Sequence, residues 1–119
     1  MTTEHDAVTA LLPLPPATFH ILLALIAGDR HGYAIIQDVE SRTGGELRLS
    51  AGTLYRSIAR MVEQELISEV AKRRTAADDE RRRYYRITTF GTAVARAEMR
   101  RLTQLVRLAR ATGLTPETA

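Results

Sequence analysis

The chain has 119 residues, a net charge of +3 and no cysteine. Arginine supplies nearly all of the positive charge, since Lys72 is the only lysine, and arginine favours bidentate contacts with phosphates and base edges. The lack of cysteine excludes disulfide frameworks, zinc fingers, iron–sulfur sites and thiol nucleophiles. A chain of this length forms one small domain, or one domain with an appended helix, and so small a core gains from a second subunit.

The sequence gives no sign of a membrane or export segment. The longest apolar run, residues 19–27, contains His20 and is about half as long as the roughly 20 residues that a membrane-spanning helix needs. The first residues contain acids and lack the basic start of an export signal. We therefore expect a soluble, cytoplasmic protein with no membrane partner.

The first part of the chain predicts two helices after a leader. Residues 1–14 carry no strong pattern and are expected to be a flexible leader. Residues 17–27 predict a first helix, with Pro16 in its opening turn and Gly28 at its end. After the turn "GDRHG", residues 33–43 predict a second helix whose inner face is formed by Tyr33, Ile36 and Val39.

Residues 50–65 predict a third helix that has two unlike faces, and Ser50 is its expected N-cap. One face is apolar and predicts burial; it contains Leu54, Ile58, Met61 and Val62. The other face is polar and contains Thr53, Arg56, Ser57 and Arg60. No Asp or Glu occurs between Arg48 and Met61, which is unusual for a solvated helix face and favours an anionic ligand.

The rest of the chain predicts a hairpin and a long helix. The alternation of Leu47 and Leu49 allows a very short strand, and residues 66–73 and 81–88 predict two strands joined by a long tip. A fourth helix is expected from a Thr88 or Thr89 cap to residue 111. Its apolar spacing extends beyond what the small domain can cover and predicts a dimer surface formed by Val94, Leu102, Leu105, Val106 and Ala109.

This order of elements predicts a fold that is mainly α with a small β-hairpin: a winged helix-turn-helix domain plus a C-terminal dimerisation helix. The expected divisions are a leader at 1–14, the winged domain at 15–88, the dimerisation helix at 89–112 and a flexible tail at 113–119. In such a domain the third helix enters the major groove of DNA, so that its acid-free face, from Ser50 to Arg60, reads the sequence. A symmetric dimer would then require an inverted-repeat operator.

The sequence resembles the PadR family of bacterial winged-helix transcriptional regulators. The resemblance is carried by "HGY" after the first helix, by "GTLY" in the third, and by "RRYYRIT" leading to Gly91. It implies a dimeric DNA-binding regulator, usually a repressor, often with a small-molecule effector site along the C-terminal helix. It also implies that Thr53 and Tyr55 contact phosphates or base edges. Where "SPGTLY" is common in the family, this chain has Ala51 in place of proline.

Several residues allow more than one interpretation. Arg56 and Arg60 could belong to a solvated face, but their position favours DNA contact. Tyr33 fits a core position as well as a phosphate contact, and the ring of Tyr55 could pack on the hairpin while its hydroxyl reaches a phosphate. The wing residues Lys72, Arg73 and Arg74 are solvated or contact phosphates.

No motif indicates catalysis, a cofactor or a metal site. The three acids at 78–80 are consecutive, and no histidine or distant carboxylate completes a ligand shell. The sequence contains no Gly-rich phosphate loop and no nucleophile elbow. We therefore expect a non-enzyme that regulates transcription; the alternative is a winged-helix module that binds another protein and not DNA.

Overall fold

The computed structural model of the chain describes residues 3–71 and 83–117. In this part the elements follow in the order α1 (Thr3–Ala10), α2 (Pro16–Ile26), β1 (Arg30–His31), α3 (Gly32–Arg42), α4 (Ala51–Glu63), β2 (Ile67–Val70), β3 (Tyr84–Ile87) and α5 (Thr89–Ala111). The predicted fold class, a mainly α winged helix-turn-helix chain with a small β element, is confirmed. None of the described helices combines the length and hydrophobicity needed to cross a membrane.

The helices α2 and α3 build one side of the core. Pro16 occupies the first turn of α2, where its missing N–H costs nothing, and Ile21, Leu22 and Ala24 of this helix are fully buried. In α3 the buried residues are Gly32, Ile35 and Val39. Tyr33 is 61% exposed, so its predicted place on the inner face was wrong. The buried face of α3 contains Ile35 and Val39 instead.

The sheet has three antiparallel strands, with β3 between β1 and β2. The β2–β3 register pairs Ile67 with Ile87 and Val70 with Tyr84, which confirms the predicted hairpin. The strand expected at Leu47 and Leu49 is absent; both side chains pack on the core from an irregular segment. The third strand is instead β1, inside the segment predicted as a turn, because two polar residues give no hydrophobic signal for a strand.

The segment before α2 is not the flexible leader that the sequence predicted. Residues Thr3–Ala10 form α1, which packs against α5. Val8 and Leu14 of this segment are buried in the main core. A single buried residue in a short helix produces no helical periodicity in the sequence. Tertiary packing, and not local propensity, therefore orders this segment.

The long helix α5 begins at an N-cap and leaves the domain halfway along its length. The Thr88 hydroxyl accepts a hydrogen bond from the Gly91 N–H at 2.9 Å, which satisfies one of the free donors of the first turn. Gly91 lies directly against the Leu66 carbonyl, so that a Cβ at this position would overlap the backbone. The first half of α5 is buried against α1 and α2, whereas its second half projects into solvent.

Candidate nucleic-acid interface

The helix α4 presents one buried and one exposed face. Leu54, Ile58 and Met61 are buried against the rest of the domain, which confirms the predicted inner face except for Val62, which is 40% exposed. The other side chains form what we call the reading face: Thr53, Tyr55, Arg56, Ser57 and Arg60. The first acid on the helix is Glu63, its last residue. The N-terminal turns, which contact base edges in helix-turn-helix proteins, are therefore free of acids.

A chain of hydrogen bonds organises the start of α4. The Ser50 hydroxyl accepts from the Thr53 N–H at 3.1 Å and so caps the helix as predicted. The same hydroxyl donates to Thr53 Oγ1 at 3.1 Å, and Arg56 Nη2 donates to that oxygen at 3.5 Å. The cap thereby holds the Arg56 guanidinium toward the exposed N-terminal turn.

Among the residues that the structure describes, the arginines of the reading face differ from most other arginines in having no carboxylate partner. Within residues 3–71 and 83–117, no ion pair involves Arg56 or Arg60, and both side chains are exposed. Six other arginines pair with carboxylates at 2.7–3.8 Å, and these are Arg30, Arg42, Arg48, Arg83, Arg86 and Arg101. The charge of the reading face is therefore available to an external anion.

Tyr55 of α4 contacts Gly32 at the start of α3, one residue before Tyr33. A Cβ built on Gly32 would overlap the Tyr55 hydroxyl and would lie 3.1 Å from Leu54 Cδ2. The Tyr55 ring therefore lies over the N-terminus of α3, and not on the hairpin alone. Tyr33 and Tyr55 are 61% and 51% exposed. The exposure of Tyr33 removes the core interpretation and leaves its side chain open to a ligand.

Gly32 supports the candidate interface by its close contact with Tyr55, and the sequence did not indicate this role. Any side chain at Gly32 would displace the Tyr55 ring from the junction between α3 and α4. His31 completes this junction, because its Nδ1 accepts the Ala34 N–H at 3.2 Å and caps α3. The close spacing of "HGY" and "GTLY" hints at such a contact, but sequence alone does not show that the two motifs meet.

The predicted wing residues Lys72, Arg73 and Arg74 lie outside the described residues. The base of the wing is described and is held by ion pairs. Arg86 donates two hydrogen bonds to Asp29, at 3.1 and 2.8 Å, and these bonds raise the pKa of Arg86 above its usual value. The end of β3 nearest the tip has an Arg83–Glu69 pair at 3.8 Å.

The predicted dimer surface on α5 divides into two parts. Val94 is fully buried within its own chain, so its assignment to a contact with a partner was wrong. Leu102, Leu105 and Val106 are 38%, 48% and 52% exposed, and Ala109 is partly exposed. Apolar residues recur at the same helical spacing in both halves of α5. This spacing therefore does not show at which residue the helix leaves the domain.

A buried ion pair marks this division. Glu98 is 3% exposed and accepts two hydrogen bonds from Arg101, both at 2.8 Å. These bonds, aided by a hydrogen bond from the Leu14 backbone, hold the pKa of Glu98 below its usual value, although burial opposes the shift. The pair ties the segment before α2 to α5, and no pattern in the sequence indicates it.

Comparison with known proteins agrees with this geometry. The family model of PadR-like transcriptional regulators matches residues 21–97. An uncharacterised protein of Lysinibacillus sphaericus is 36% identical over 73 residues, which cover 61% of this chain and 65% of that protein. The match thus spans less than two thirds of the relative's length.

Solved structures show the same fold. A transcriptional regulator from Clostridium thermocellum superposes with a TM-score of 0.68 at 24% identity, over 89% of this chain and 93% of its own. Bacillus subtilis PadR, solved in complex with operator DNA, gives a TM-score of 0.62 at 16% identity, over 73% of this chain and 48% of its own. PadR-like proteins are transcription regulators and not enzymes. Because the family model covers more than half of the sequence, the chain belongs to the PadR-like family of transcriptional regulators.

Proposed function

We propose that the protein is a homodimeric repressor that binds an inverted-repeat operator through the reading face of α4 and is released by a signal or small-molecule effector. One observation carries the proposal: the reading face presents Arg56 and Arg60 without a carboxylate partner among the described residues. Leaving two guanidinium groups unpaired on one exposed helix suits a polyanionic ligand. A protein that acts on operator DNA works in the cytoplasm.

The residues of the interface divide into two roles. Arg56, Arg60 and Ser57 lie on the part of α4 that would enter a major groove about 12 Å wide, where arginine recognises guanine with two hydrogen bonds. Tyr33 at the start of α3 and Tyr55 on α4, which packs against that start, would contact the sugar–phosphate backbone. Lys72, Arg73 and Arg74 of the wing would add backbone contacts that carry little sequence information.

The dimer would form through the second half of α5. Leu102, Leu105 and Ala109 continue the helix face that the domain buries at Val94 and Glu98, but none of the residues that the structure describes buries them fully. Each Å² of apolar surface left in water costs about 25 cal/mol, and a second copy would cover this surface by symmetry. Two reading faces would then lie about 34 Å apart, so that the operator half-sites are centred about 10 base pairs apart or a multiple of that.

Repression would follow from occupancy of the promoter, and the effector would act by changing the distance between the two reading faces. The half-exposed second half of α5 is where a change in dimer geometry would alter that distance. Deleting the gene should therefore raise transcription of the adjacent genes. Unchanged transcription would contradict a repressor.

Selection of binding sites from a randomised duplex library tests the proposed function. We expect enrichment of an inverted repeat, two protomers on each duplex, and binding that weakens steeply with salt because phosphate contacts release counterions. A protein-binding winged helix would instead enrich no sequence and would pass through a heparin column without being retained. Either of these results would contradict the proposal.

A further inference from the structure

A second group of arginines that have no carboxylate partner among the described residues lies on α5. We define the arginine stripe as Arg96, Arg100, Thr103 and Arg107, all exposed. The spacing of these residues places them on one side of the helix, opposite the side that Gly91, Val94 and Glu98 bury. Eleven residues separate Arg96 from Arg107, so the stripe is about 16 Å long at a rise of about 1.5 Å per residue.

The stripe is positive along its whole length. The only acid of α5 is Glu98, which is buried and bonded to Arg101. No ion pair within the described residues involves Arg96, Arg100 or Arg107. Like charges at i and i+4, as in Arg96 and Arg100, destabilise a helix by about 0.2–0.5 kcal/mol. Such an arrangement gains stability when an external anion neutralises it.

The stripe lies on a different side of α5 from the proposed dimer surface. Its residues are on the opposite side of the helix from Leu102 and Leu105, so the dimer of the proposed function would leave the stripe exposed in both protomers. The stripe also belongs to a different helix from the reading face: α5 packs mainly against α1 and α2, whereas α4 packs mainly against α2, α3 and β2.

We propose that the arginine stripe binds the phosphate backbone of a second stretch of double-stranded DNA, separate from the operator that α4 holds. This inference rests on the proposed function, because it assumes a dimer whose reading faces are occupied. The consequence is that an operator-bound dimer joins two DNA segments.

The shape of the stripe favours an extended polyanion over a small anion. The side chains border an open cleft of about 640 Å³ whose lining residues all come from α5. A small molecule is usually held by a pocket that buries most of its surface, and one helix provides no second wall. Three guanidinium groups in a line match successive phosphates of a backbone instead.

The chemistry of the stripe also favours DNA over an acidic protein segment. An amphipathic peptide helix needs an apolar seam in its receptor, and the stripe contains only arginine and threonine. Met99, which is 65% exposed, lines the same cleft, but a single methionine does not form such a seam. Phosphates require charge and hydrogen-bond donors alone, and the stripe supplies these.

A capture experiment tests the proposal. A short operator duplex, selected as described above and containing both half-sites, is fixed to beads and saturated with protein. A fluorescent duplex of unrelated sequence is then added. We expect wild-type protein to retain the second duplex at low salt. The variant Arg96→Gln/Arg100→Gln/Arg107→Gln should retain at least about tenfold less of the second duplex. The slope of its log binding constant against log salt concentration should be smaller by about 0.9 for each lost phosphate contact.

Two control variants make the result specific. Replacing the same three arginines by lysine keeps the charge, and we expect it to retain most of the capture because lysine also binds phosphate. Met99→Gln should leave the capture unchanged. All variants should bind the bead-bound operator equally well, with unchanged helicity and unchanged oligomeric state.

Three outcomes would overturn the proposal. These are no capture by the wild-type complex, equal capture by the glutamine variant, and loss of capture by Met99→Gln. Failure of capture together with stripe-dependent binding of polyglutamate would assign the stripe to an acidic protein. If the protein bound no operator at all, the proposed function would fail. The stripe would still be tested by comparing how free wild-type protein and the free glutamine variant bind the unrelated duplex.

Discussion

At the scale of single residues, two glycines show how close packing fixes this fold. Gly52 and Gly91 both lie in the first turn of a helix, but a Cβ on Gly91 would overlap the Leu66 carbonyl, whereas a Cβ on Gly52 would meet only the tip of Arg56 at 3.3 Å. The Leu66 carbonyl also accepts hydrogen bonds from the N–H and the hydroxyl of Thr88, at 3.0 and 3.1 Å. It therefore cannot move without breaking the cap of α5.

We predict opposite effects for the two alanine substitutions. Gly91→Ala should lower the free energy of unfolding by about 1–3 kcal/mol, as overpacking usually does. Gly52→Ala should leave it unchanged or raise it by up to about 1 kcal/mol, because alanine is the better helix former. Urea denaturation of both variants measures this. Equal stability of the two variants would show that α5 is not held against Leu66 as described.

The Glu98–Arg101 pair predicts a pH dependence. The pKa of Glu98 is lower in the folded chain than in the unfolded chain, so the ionised carboxylate stabilises the fold above about pH 4.3, its unfolded pKa. That stability is lost as the pH falls through the folded pKa. We expect Glu98→Gln to lower the free energy of unfolding by about 1–2 kcal/mol at pH 7, a modest amount because Arg101 is one-third exposed. The difference in this free energy between the variant and wild type should shrink below about pH 4.

Urea denaturation at pH 7 and at pH 3 tests this prediction. Glu40→Gln is the control, because the Glu40–Arg48 pair is 45% and 73% exposed and such surface pairs contribute little. A cost of Glu98→Gln that did not depend on pH would mean that the carboxylate acts through packing alone.

At the scale of the elements, the N-cap of α4 links stability to DNA binding. Ser50 caps the helix and, through Thr53, orients Arg56. We predict that Ser50→Ala lowers the free energy of unfolding by about 1 kcal/mol and weakens operator binding. Ser50→Asp should restore the stability, because aspartate is also a good N-cap, but it should weaken operator binding further by placing a negative charge beside the DNA.

Thermal denaturation and an operator titration of the same two variants separate these effects. If Ser50→Asp bound the operator as tightly as wild type, the N-terminus of α4 would not face the phosphates.

The second half of α5 carries the dimer prediction. Leu102→Asp with Leu105→Asp should give a monomer, or a destabilised chain, and should lose most operator binding although the reading face is intact. The matched control is Thr103→Asp with Gln104→Asp. It adds the same two charges at the neighbouring positions, which lie on a different side of the helix, and this variant should remain a dimer. Light scattering measures the mass. A dimeric leucine variant that binds as before would remove α5 from the interface.

Local signals in the sequence predicted most of the elements but not their environment. Ser50 and Thr88 mark the starts of α4 and α5 because side-chain caps are local, and the spacing of Leu54, Ile58 and Met61 marks the buried face because it recurs within one helix. Helix α1 forms because it packs against α5, and strand β1 forms because it pairs with β3. Their own residues therefore carry little local signal. The same limit explains why Val94 was grouped with Leu102.

At the scale of the whole molecule, two positively charged surfaces lie on different helices, the reading face on α4 and the arginine stripe on α5. The exposed, acid-free face of α4 could be predicted, because a lack of acids on one helix face is visible in the sequence. The contact of Gly32 with Tyr55, the burial of Glu98 and the direction of the arginine stripe depend on how the helices cross. A hydrophobic pattern does not contain that information.

The central claim is that the reading face binds the operator, and the double variant Arg56→Ala/Arg60→Ala tests it most directly. Each lost arginine contact should cost about 1–3 kcal/mol, so titration of a short operator duplex should show at least about tenfold weaker binding, with unchanged helicity and mass. Arg110→Ala, an exposed arginine in the last turn of α5, is the control and should bind as wild type does. If the double variant bound the operator with wild-type affinity, α4 would not be the DNA-reading element.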